Sequence, residues 1–118
     1  MRSKEKLIRH ALQDIRENIL LAQSFVAGLG VENFARNREK VYAVVRCLEI
    51  VSEASRRLPE EIRSRHTRIA WPDIAGAGNI YRHEYERLED LEIWNTVQID
   101  LPPLLAAVEE ELNRMPAP

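Results

Sequence analysis

The chain has 118 residues, 45% of them hydrophobic and 31% charged, with a formal net charge of −2. That size suits one domain around one core, the composition excludes a disordered chain, and the charge excludes a uniformly basic nucleic-acid binder, so any such contact needs a local patch. No run approaches the roughly 18 apolar residues of a membrane span, the charged start MRSKEKLIRH is not a signal peptide, and the one cysteine, Cys47, leaves no intrachain disulfide; one cytoplasmic domain over 1–118, with no membrane contact, is expected.

The hydrophobic spacing is helical almost throughout. Ile8, Leu12, Ile15, Ile19, Ala22 and Val26 predict a helix over about 4–27, stopped by Gly28-Leu29-Gly30. Val31 to Arg36 reads as a connecting turn with Phe34 pointing inward. Asn37 caps a second long helix, about 38–58, with the stripe Val41, Val44, Leu48, Val51, Ser55 and Leu58. Ser52 and Ser55 are small enough for close helix approach, and the 41–58 face is the expected pairing face of a dimer. Arg46, Glu49 and Glu53 lie near it, either bounding a cleft or forming intrachain ion pairs.

Pro59 opens a short helix over about 60–66, and Trp71-Pro72-Asp73 opens another over about 72–86. The last helix, about 90–114, carries Trp94, Val97, Leu101, Leu104, Val108 and Leu112 on one side. Pro102-Pro103 interrupts it, which predicts one bent helix or two abutting ones. The expected fold is all-α: an antiparallel four- to five-helix bundle with a kinked C-terminal helix.

Candidate chemistry concentrates in GAGNIYRHEY, residues 76–85. At helical spacing Asn79 and His83 share a face, and Gly76 lies one turn before them. An Asn amide one turn away can help set the tautomer of the imidazole. A surface histidine on a charged helix face is the plainer reading of the same spacing. No Gly loop followed by Lys-Ser/Thr is present to cradle a phosphate, and His66 and His83 are not at metal-ligand spacing. Arg56, Arg57, Arg63, Arg65 and Arg68 form a local basic patch, fit either for RNA phosphates or for a solvated helix end.

Three stretches resemble the HepT-like family of the HEPN superfamily. VVRCLEIVSEASRRLP is similar to the family's Arg- and Glu-bearing bundle helix, and WPDIAGAGNIYRHEY to its signature segment. IWNTVQIDLPPL matches the ending VWxxVxxDLPPL. The resemblance spans roughly residues 5–112. It implies an endoribonuclease that needs no metal or other cofactor, acting as the toxin of a toxin–antitoxin pair. It further implies a homodimer whose Arg–His motifs line a shared RNA cleft, and a cognate minimal nucleotidyltransferase that silences the toxin by adenylylating a tyrosine. Carried over, Asn79 matches the motif Asn, His83 the motif His and Tyr85 the modified Tyr.

The motif Arg has no match: Gly78 stands in its place. Metal-independent cleavage needs a base for the ribose 2′-hydroxyl, an acid for the leaving oxygen and fixed positive charge for the phosphorane. His83 suits the proton roles. Arg82 is four residues after Gly78, and long helical side chains lean back over the preceding turn, so its guanidinium could replace the missing one. The other reading is a surface arginine beside a degenerate site, which makes the chain an adaptor that binds a nucleotidyltransferase or a nucleotide. A plain helical interaction module is a third possibility.

Overall fold

A computed structural model describes residues 2–77 and 86–117. Among these residues every regular element is a helix. Helix α1 spans Arg2–Val26. It turns Leu12, Ile15, Ile19 and Ala22 fully inward at spacings of three and four, as an amphipathic helix must. Gly28 ends it in the left-handed region, at φ 78°. The space around a β-carbon there is open, so another residue would meet its penalty in the backbone rather than in crowding.

Val31–Arg36, read as a connecting turn, is a short helix, α2. Six residues do not hold a helix by propensity alone. Here Phe34 fixes it, fully buried with its ring 5.6 Å from that of Trp94. Asn37 then serves both neighbours. Its N–H donates to the carbonyls of Asn33 and Phe34, closing α2. Its side-chain oxygen accepts the Lys40 N–H at 3.2 Å, opening α3, Arg38–Arg56.

Helix α3 buries Val41, Val44, Leu48 and Val51 in the core shared with α1, the most extensive helix pair in the fold. The face expected to pair two subunits is thus occupied within the chain. Tyr42, 67% exposed, and Arg46 are on the solvent side. Helix α4, Glu60–Arg65, and helix α5, Trp71–Gly76, are short, and each plugs the core with one residue, Ile62 and Ile74. The expected helix over 72–86 is therefore seen in its first part, and the rest lies outside the described residues.

Helix α6, Glu86–Asn95, and helix α7, Leu101–Arg114, are two abutting helices joined by a π-helical turn, Thr96–Asp100. The prolines explain the joint. Pro102 and Pro103 sit in the first turn of α7, where a missing N–H is best tolerated. The carbonyls deprived of α-helical donors belong to Gln98 and Ile99, which are exposed in the π turn. Val97, Leu101, Leu104 and Val108 continue one buried stripe across it. No helix among the described residues is long and apolar enough to cross a membrane.

Candidate functional site

The signature residues Gly78, Asn79, Arg82, His83 and Tyr85 lie outside the described residues. The structure shows what holds the chain on either side of them. On the approach, α5 is fastened to α3. Ser52 Oγ donates to the Ile74 carbonyl at 2.9 Å, and Arg56 Nη1 donates to the Ala75 carbonyl at 2.7 Å. These carbonyls lie at the C-terminal end of a short helix, where Ile74 also accepts the Ala77 N–H. Ser52 and Arg56 are four apart, so one face of α3 supplies both bonds. At the other end of α5, Trp71 Nε1 donates to the carbonyls of Arg63 and His66, each at 3.1 Å.

On the exit, α6 is tied to α3 by Arg38 and Asp90, 2.8 Å apart with the carboxylate buried. Arg38 also donates to the Ala35 carbonyl and lies 5.7 Å from the Tyr42 ring centre, the range of a cation–π contact. Glu89, beside Asp90, is 7% exposed, and its Oε1 has no hydrogen-bond partner among the described residues. A buried carboxylate oxygen without a partner is costly. Nothing in the hydrophobic spacing distinguished Glu89 from the acids around it.

Four of the five arginines of the basic patch are engaged within the chain. Arg56 holds α5 and lies 3.8 Å from Glu53. Arg57 meets Asp14 of α1 at 3.0 Å, and Arg63 stands 4.0 Å from Glu60. Arg65 grips Glu111 of α7 through two bonds, 3.1 and 2.6 Å long. Arg68 has no ion-pair or hydrogen-bond partner among the described residues and is exposed. Arg46 and Glu49 form an ion pair along α3 at 3.5 Å.

Glu111 is the centre of a second cluster. It is buried in α7, and His66 Nε2 lies 2.6 Å from its Oε2. The hydrogen bonds from Arg65 hold its carboxyl below the usual carboxylate range; burial opposes this, and His66 adds to the lowering. Sequence reasoning overlooked Glu111, which falls on the apolar side of α7. Beside this cluster, between α7 and the α4–α5 connection, is an open cleft of about 450 Å³. Burial pushes the Cys47 thiol up, consistent with a core residue. No group of three or more His, Cys, Asp or Glu among the described residues is arranged to hold a metal.

The ribonuclease HepT-like family profile matches residues 15–111, a span that includes both anchors and the segment between them. "Putative RNase MJ1216" of Methanocaldococcus jannaschii is 31% identical over 103 residues, covering 87% of this chain and 85% of that protein. "Putative RNase TTE0752" of Caldanaerobacter subterraneus subsp. tengcongensis is 32% identical over 114 residues, covering 97% and 98%. "Probable ribonuclease HepT" of Thermococcus cleftensis is 32% identical over 99 residues, covering 84% and 90%. No solved structure matches the chain. The chain belongs to the HepT-like ribonuclease family.

Proposed function

We propose that the protein is a metal-independent endoribonuclease of toxin type, a single HEPN domain working as a homodimer. The observation that carries this reading is the family match, which runs through the signature segment containing His83. His83 is the proton-transfer residue at the ribose 2′-hydroxyl and the leaving oxygen, Asn79 orients it, and Arg82 supplies the charge that Gly78 cannot. A cognate nucleotidyltransferase antitoxin adenylylates Tyr85 and silences the enzyme. The subunits meet through solvent-facing parts of α3 and α6, where Tyr42 and Leu91 are exposed.

Purified protein incubated with RNA in EDTA tests this. Wild type cuts, His83→Ala is inert, and Arg82→Ala falls by roughly 10²–10³-fold, as for loss of a transition-state charge donor. Co-expression with the nucleotidyltransferase adds mass to wild type and none to Tyr85→Phe. Gly78 supports a second reading, a degenerate dimer serving as an adaptor. Under that reading wild type leaves RNA intact but still binds the nucleotidyltransferase.

A further inference from the structure

The cleft beside Glu111 is lined by Arg65, His66, Thr67 and Arg68 from the α4–α5 connection, and by Pro103, Ala106, Ala107 and Glu110 from α7. The α7 wall is small and smooth, apart from Glu110. The facing wall carries two guanidiniums, an imidazole and a hydroxyl, a set of donors that suits phosphate oxygens.

The charges there are unequally compensated. Glu110 has Arg114 at 3.7 Å, and Glu111 has both Arg65 and His66. Glu61 and Glu110 also act on Arg65 through space. Arg68 is the cation of the cleft with no carboxylate against it among the described residues. Its backbone is not loose. The Ile69 N–H donates to the His66 carbonyl at 3.1 Å, the Trp71 N–H to the Ile69 carbonyl at 3.0 Å, and the Trp71 indole closes onto the same connection. The buried Glu111 fixes Arg65 and His66 behind it. A fixed loop thus holds one uncompensated guanidinium over an open cleft.

We propose that this cleft is a phosphate subsite for single-stranded RNA, with Arg68 as its principal contact and Thr67 beside it. The proposal rests on the ribonuclease reading for its ligand. It narrows the basic patch from five arginines to one, because the other four already have partners in the fold. The subsite lies at the N-terminal end of α5, and the signature segment follows the C-terminal end. Helix α5, six residues and about 9 Å long, runs from the subsite toward the start of that segment in the chain. In this reading an RNA strand held at Arg68 runs along α5 toward the signature segment.

The test measures binding of a fluorescein-labelled 12-nucleotide single-stranded RNA to His83→Ala protein, which keeps the probe intact. Arg68→Ala is compared with Arg57→Ala, which removes the same charge from an arginine already paired with Asp14. Arg68→Ala weakens binding about three- to tenfold at low salt, lowers the salt slope by about 0.7, and Arg68→Lys restores most of both. Arg57→Ala changes affinity less than about twofold. Equal effects of the two variants overturn the subsite, since they reduce it to overall charge. AMP binding that depends on Arg68, with RNA binding indifferent to it, assigns the cleft to free nucleotides and also overturns the proposal. If RNA binds with Arg68 making no difference, the subsite fails while the ribonuclease reading stands; if no RNA binds at all, both fail.

Discussion

The α1–α3 seam and the α4–α5 corner are built on opposite plans. Along the seam, two long helices bury Leu12, Ile15, Ile19, Val44, Leu48 and Val51 against each other, so stability is spread over many contacts. At the corner, two six-residue helices contribute one buried plug each, Ile62 and Ile74. What holds them is polar: Ser52 and Arg56 on the end of α5, the Trp71 indole on its start, and Arg65 and His66 on Glu111. The seam resists local change because every side chain there has many neighbours. The corner depends on a few directional bonds, and it is the corner that leads into the signature segment.

Three substitutions separate the two plans. Leu48→Ala, in the seam, should have the largest effect, about 2–5 kcal/mol of global stability, read from urea unfolding at unchanged m-value. A loss confined to α4 and α5 in hydrogen exchange would contradict the division. Glu111→Gln should come next, with an effect that depends on pH. The Glu111 carboxyl is held below its ordinary value, so its contribution is fully present above the unfolded carboxylate range, near pH 4.3, and disappears as pH falls through the lower folded value. Wild type should exceed the variant in urea midpoint at pH 7, and the gap should close on acidification. A constant gap from pH 7 to 3 would mean that the ionised carboxylate is not what matters. Ser52→Ala should have the smallest global effect, about 1–2 kcal/mol. Its mark should be local, with faster amide exchange in α5 and little change in α1, and a uniform change would show that the corner is not a separate unit.

The long helices were legible because their evidence is repetition. Six apolar positions at helical spacing define α1 and the stripe of α3, and each agrees with the rest. Asn37 as a cap and the break at Pro102-Pro103 were legible for a similar reason: one residue type has one local consequence. Val31–Arg36 was not, because a six-residue helix has no periodicity to read and exists through the burial of Phe34 on Trp94. The density of the basic patch did not show how its arginines are partnered. Five nearby arginines suggest one surface, yet the partners of four of them come from α1, α3, α4, α5 and α7. Glu111 and Glu89 could not be picked out at all, since a glutamate's burial depends on what folds over it.

The sequence by itself determined the all-α class, the long helices and the capped and broken points of the chain, because each follows from local spacing or residue type; Asn79, His83 and Tyr85 were picked out by resemblance to the family motif. Tertiary structure decided which side of α3 is occupied, that Ser52 and Arg56 secure α5, that Glu111 gathers Arg65 and His66, and that Arg68 is left over. Those outcomes depend on contacts between residues far apart in the chain, such as Arg65 on Glu111 across 46 residues, and no local pattern encodes such a meeting.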